Sequence, residues 1–183
     1  MLLVLPSTAQ APGSIVFASR PILSGGEPGP PGFVFRPSDP IYAVAIFAGP
    51  LRRLPVTRQV TLSLKVFEKS SGGAESFLDY YDIGLSGSAM EATSLSHELA
   101  PEPAESRSYS NPEWHFGSFG KKVDGPAAMC DILAGLPPGR HLLVLRLEQD
   151  YEPVASGELL VEASDFGVYA QRAQLLRQAR PKS

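Results

Sequence analysis

Glycine and proline together make up close to one residue in five of this chain, 17 and 18 of 183. That much backbone punctuation rules out a helix bundle or a coiled coil. Proline removes a backbone donor and fixes φ, while glycine loosens the backbone, so uninterrupted elements must be short. Short strands joined by turns suit such a chain. With 43% hydrophobic residues it has the apolar content of one globular domain. Its net charge of −3 supplies no field that would gather phosphate or anionic lipid, so no nucleic-acid partner is expected. No apolar run reaches the ~20 residues of a membrane-spanning helix. The single cysteine, Cys130, cannot form an internal disulfide, and the core must rest on apolar burial.

At the amino terminus, Leu2-Leu3-Val4-Leu5, then Pro6 and the small residues Ser7-Thr8-Ala9-Gln10-Ala11, look like the end of a secretory signal peptide. Cleavage would follow Ala9 or Ala11. The basic start and most of the apolar region of such a leader are missing, so a buried first strand is the other reading. The expected organisation is a signal-peptide remnant over residues 1–11, one β domain over 12–164, and an amphipathic helix with a basic tail over 165–183. The expected location is extracytoplasmic, periplasmic or secreted, with the cytoplasm as the alternative.

Residues 24–32 are turn-forming and aperiodic, and order begins at Phe33-Val34-Phe35. The run 41–47 is apolar at both parities, as in a strand covered on both faces. Val60, Leu62, Leu64 and Val66 alternate with Thr61, Ser63 and Lys65, which makes a strand with one face on a core. Phe77 to Leu85 reads as another strand, interrupted by Asp79 and Asp82. Residues 94–113, rich in Ser, Pro and Glu, read as a long surface loop. Met129, Ile132, Leu133 and Leu136 form a helical stripe between Pro126 and Gly135. The segment 141–162 predicts a hairpin that buries Leu143, Leu145, Leu147, Leu159 and Val161. Near the end, Asp165 can cap a helix whose stripe is Phe166, Tyr169, Ala173 and Leu176, with Arg172, Arg177, Arg180 and Lys182 off that stripe.

Chemistry is sparse. His97, His115 and His141 are no closer than 18 positions, so no short metal-ligand spacing exists and no metal site is expected. Gly84-Leu85-Ser86-Gly87-Ser88 resembles a nucleophile elbow with its last glycine displaced, and no βαβ context surrounds it; a turn is the simpler reading. Gly72-Gly73 lacks the lysine of a phosphate loop. Asp79 and Asp82 flank Tyr80-Tyr81, a combination suited to sugars, yet hydrolysis needs a carboxylate separation of roughly 5–10 Å that a sequence cannot supply. The aromatics Tyr80, Tyr81, Trp114 and Phe116 are the candidate ligand-binding residues, since flat rings stack on sugars or anchor peptides. Against that stands a purely structural role clasping loops to the body. Cys130 reads as a small apolar residue of the helix stripe.

The order of short helix, Leu136-Pro137-Pro138-Gly139-Arg140-His141, strand, turn and Val154-Ala155-Ser156-Gly157 strand resembles the last hairpin of immunoglobulin-like or fibronectin-type β-sandwiches. The resemblance covers roughly residues 33–164. It implies a mainly β, antiparallel sandwich with one short helix before the last hairpin and a C-terminal helix. The paired cysteines of antibody domains are absent, and the fold implies no activity. The functional expectation is a non-enzymatic, exported binding or structural module of the cell envelope, without catalytic residues or cofactor, meeting a protein or glycan partner. Two other readings compete with it: a small glycan-acting hydrolase or lyase using acids near Tyr80-Tyr81, and a cytoplasmic regulatory domain. Nothing in the sequence bears on oligomeric state.

Overall fold

A computed structural model describes residues 11–21, 33–51, 59–106, 114–117 and 122–179. The expected signal remnant up to residue 10, the connection 24–32 and the loop residues 107–113 lie outside the described residues. The chain is mainly β with two helices, its sheet curled into a half-barrel. The strands are β1 (Ser14–Ala18), β2 (Val34–Phe35), β3 (Ile41–Ile46), β4 (Gln59–Lys69), β5 (Glu75–Ser86), β6 (Ser94–Ala100), β7 (Trp114–Phe116), β8 (Gly139–Gln149) and β9 (Glu152–Ala163). Helix α1 spans Gly125–Ala134 and α2 spans Gly167–Ala179.

Hydrogen bonding links the strands in the order β6-β3-β1-β9-β8-β4-β5-β7, with β2 alongside β9. The sequence implied an antiparallel sandwich. Instead, β9 pairs parallel with both β1 and β2, so the sheet is mixed and the described strands form one continuous path. One edge of the twelve-residue β9 is taken along its length by β8, and the other is shared by two shorter strands: β1 meets it at Ser156 and β2 at Leu160 and Val161. Where β1 meets β9, a Cβ at Gly157 would stand 2.2 Å from the Ile15 carbonyl oxygen. Glycine is required there by backbone approach rather than by φ.

The β8–β9 hairpin forms as the alternation predicts, and Leu143, Leu145, Leu147, Leu159 and Val161 are all buried. Val60, Leu62, Leu64 and Val66 line the same concave side. Residues 94–100 correct the sequence reading, for they are an edge strand and not part of a loop. Leu95 and Leu99 face inward while Ser94 and Ser96 face out, an alternation outweighed in the sequence by the prolines that follow it. In β5 the pairing slips between Val66 and Phe67 of β4, so Leu78 is an extra residue and the interruption at Asp79 is a β-bulge.

Helix α1 spans the open side of the half-barrel, touching β6 near one end of the strand order and β5 near the other. Asp124 caps it by accepting from the Ala127 amide at 3.0 Å. Met129, Cys130 and Leu133 are buried beneath it, and Ile132 is half-buried. Helix α2 packs on α1 with the predicted stripe Phe166, Tyr169, Ala173 and Leu176 in the common core, and Asp165 accepts from the Gly167 amide at 2.7 Å. Arg172 departs from expectation. It is buried, not on the solvent side, because its guanidinium reaches the carbonyls of Pro37, Asp39 and Ala100 at 2.9 to 3.3 Å while lying over the Tyr169 ring. One positive charge thus satisfies three backbone carbonyls, that of Ala100 buried, and ties α2 to the turn before β3 and to the end of β6.

Candidate functional site

Strand β5 alternates, and that alternation separates the candidate residues. Tyr81, Ile83 and Leu85 are buried on the concave side. Tyr80 and Asp82 belong to the other parity, with Tyr80 half-buried and Asp82 accepting from the Ser63 hydroxyl at 2.6 Å. Asp79 pairs across from buried Val66, while Asp82 pairs with Ser63, so the two acids suggested by the sequence leave opposite faces of the strand. They do not form a carboxylate pair. Trp114 and Phe116 lie in β7 and pair with Gly84 and Asp82. All four candidate aromatics therefore fall in or next to the β5–β7 pairing, but Tyr81 is only 1% exposed and points into the body, where it cannot present its ring to a large partner.

Beside these residues lies an open depression of about 460 Å³, bounded by β5, the end of β7, the strap before α1, and both helices. Asp79, Tyr80, Lys122, Asp131 and Arg177 line it, and Tyr81 with Asp124 forms its inner wall. Arg177 of α2 pairs with Asp131 of α1 across the helix interface. Asp79 accepts from the Tyr80 amide at 2.8 Å. Lys122, Asp131 and Arg177 were missed as site residues because they come from segments that only the tertiary packing brings to β5. Asp124, which stands just before Gly125-Pro126 and caps α1, was likewise not picked out.

Behind the depression is a second constellation. Tyr81 Oη and His97 Nε2 are 2.7 Å apart, and the His115 ring stands 5.9 Å from Tyr81 and 5.4 Å from His97 between centroids. His97 and His115, 18 positions apart in sequence, come together because β6 and β7 stand at opposite ends of the strand order and the sheet curls. The His97 ring is half-buried; desolvation on its inner side, and then neighbouring His115, lower the imidazole to about 3, so it is neutral near pH 7. Burial drives the Tyr81 phenol well up and the Cys130 thiol up to about 12, so Cys130 is an inert thiol beneath α1. Gly125 begins α1 against this cluster, since a Cβ there would lie 2.9 Å from the His115 ring and 3.0 Å from the Tyr81 ring. Among the described residues no three side chains are arranged to hold a metal ion.

His141, at the start of β8, is buried. Nδ1 lies 2.5 Å from Glu68 and Nε2 2.9 Å from the Pro137 carbonyl, with Phe166 against the ring. Both nitrogens thus face acceptors, a staple between β4 and the turn after α1. On the convex side, Phe67, Phe77 and Tyr80 form a surface row with Arg146 over the Phe67 ring. Ion pairs of Lys65 with Glu148, Lys69 with Glu158 and Arg146 with Glu75 neutralise the charges around it. No helix among the described residues is long and apolar enough to cross a membrane. No protein-family model, curated protein or solved structure matches the chain.

Proposed function

We propose that the chain is a non-enzymatic, exported binding or structural module of the cell envelope, with the depression between β5 and the two helices as its ligand-contacting surface. That depression carries the reading. Its volume of about 460 Å³ falls within the ~300–1,000 Å³ of small-ligand sites. The lining offers two tyrosines together with acids and cations, a set suited to a polar, hydroxyl-rich ligand such as a short glycan. Asp131 and Arg177 hold each other, and Asp79 is anchored to its own backbone, so the polar groups are fixed before a ligand arrives. The immunoglobulin-like relation belongs to the same proposal and rests on the last hairpin. Export rests on the signal-like start, and the intact mass of protein recovered from its native host tests it: a mature chain beginning after Ala9 or Ala11 is expected, and a retained Met1 removes the claim.

Binding is tested by the fluorescence of the single tryptophan, Trp114, in β7, the strand whose far end leads to Gly117 in the lining of the depression. Titration with a panel of soluble glycans and peptides should give a saturable change with a glycan that Tyr80→Ala weakens at least tenfold. A response untouched by Tyr80→Ala places the ligand elsewhere. The glycan-cleaving alternative draws on Asp79, Asp124 and Asp131, which share this depression. Turnover of any glycan that vanishes in Asp79→Asn would favour that reading over simple binding.

A further inference from the structure

The half-barrel is joined along two lines of unequal strength. On one line β1 meets β9 through the single register pair Ser14 with Ser156 and a bond of 2.9 Å from the Ser156 amide to the Gly13 carbonyl. On the other, under α1, His97 of β6 meets Tyr81 of β5, and beyond it Arg172 of α2 reaches the Ala100 carbonyl at the end of β6. Strands β6, β3 and β1 pair with one another and so form a flap between these lines. We propose that the flap is hinged at β1 and β9 and latched by the Tyr81–His97 contact, and that protonation of His97 releases the latch and opens the interior while the β8–β9 hairpin stays folded.

The chemistry follows from what surrounds the ring. On its own face of the sheet His97 is accompanied by Leu95 and Leu99, its cross-strand neighbour in β3 is Ala43, and the small void beside it is otherwise lined by alkyl side chains such as Leu64, Ile83 and Leu145. The polar and titratable groups facing it are Tyr81 from β5 and His115 from β7, with Asp124 and Cys130 of α1 standing behind Tyr81. Among the described residues no carboxylate is bonded to the imidazole to stabilise a positive charge. With the ring proton on Nδ1, Nε2 accepts from the Tyr81 hydroxyl. A second proton at Nε2 reverses that bond, leaves the phenol proton to find another acceptor, and places a cation among alkyl groups.

The sign of the pH effect is fixed by linkage. Closed, His97 is lowered to about 3; open and solvated, it returns toward its ordinary value near 6.5. The open form therefore binds the proton more tightly. The latch is fully effective above about pH 6.5 and weakens as pH falls toward 3, by up to tenfold in the opening constant per pH unit.

Cys130 is a built-in reporter, being the only cysteine, fully buried and close to Tyr81. Its labelling by 4,4′-dithiodipyridine, a reagent that reacts with thiols in acid, is followed from pH 7 to pH 4 and divided by the rate for the urea-unfolded chain at each pH. The expected result is a normalised rate rising five- to tenfold per unit below pH 6.5 while the far-ultraviolet circular dichroism holds. In His97→Gln, which can still accept from Tyr81 but does not titrate, the profile should be flat. In Tyr81→Phe labelling should be faster at pH 7 and keep its slope, which tests the latch even if His97→Gln does not fold. A flat profile in the native chain, a slope that survives His97→Gln, labelling in Tyr81→Phe equal to the native chain, or labelling that tracks loss of circular dichroism overturns the proposal.

Discussion

Substituting Gly157 by alanine tests the seam at which β1 joins the hairpin. The added Cβ would lie 2.2 Å from the Ile15 carbonyl oxygen and 2.9 Å from the Ile15 Cβ. The nearest atom is backbone, so no rotamer change relieves it, and β1 must retreat by about 1 Å to regain an ordinary contact. Forced packing of this kind costs ~1–3 kcal/mol. Retreat also weakens the bond from the Ser156 amide to the Gly13 carbonyl, a further ~1 kcal/mol. Against this, alanine restricts the unfolded chain and returns ~0.4–1 kcal/mol. The net expectation is a loss of about 2–3 kcal/mol, a fall of roughly 1–2 M in the urea midpoint. Gly49, with no atom within 4 Å of its would-be Cβ, is the control, and Gly49→Ala should stay within ~0.5 kcal/mol of the parent. Equal midpoints for Gly157→Ala and Gly49→Ala would refute the seam.

Leu145 is fully buried and borders the small interior void of about 10 Å³, so Leu145→Ala enlarges a space that the curled sheet cannot collapse. A loss in the upper half of the ~2–5 kcal/mol range is expected from chemical denaturation, and one under ~0.5 kcal/mol would show that the register is wrong. Truncation after Ala163 removes Phe166, Tyr169, Arg172 and Leu176 from the core. It should lower the melting temperature without altering the elution volume on gel filtration; unchanged stability would mean that α2 docks elsewhere.

The hairpin and the helices were legible because their periods are unmixed. Leu143, Leu145 and Leu147 repeat every second residue, and Tyr169, Ala173 and Leu176 repeat at helical spacing. Strand β6 was hidden because Ser, His and Glu dilute an alternation of only two leucines, and a nearby proline-rich stretch outweighed it. Arg172 was misplaced because a sequence pattern treats arginine as solvated, whereas three carbonyls from the turn and β6 await it in the fold. The depression was half legible. Tyr80 and Asp79 could be picked as an aromatic beside an acid, but Lys122, Asp131 and Arg177 reach it only through the packing of α1 and α2 against β5. The Tyr81, His97 and His115 cluster depends on sheet curvature, which no local spacing encodes.

The partner of β1 in β9 lies about 140 positions downstream of it. During synthesis at ~5–20 residues per second, β1 can pair with β3 early, but its second edge waits on the order of ten seconds or more for β9 to emerge. Throughout that interval the nascent chain carries an open strand edge beside half-formed apolar surface, the state most prone to pairing with another chain. Yield in a recombinant host should thus depend on how the first hundred residues are shielded before the last hairpin arrives, through slower growth or a holding chaperone, more than on the stability of the finished fold.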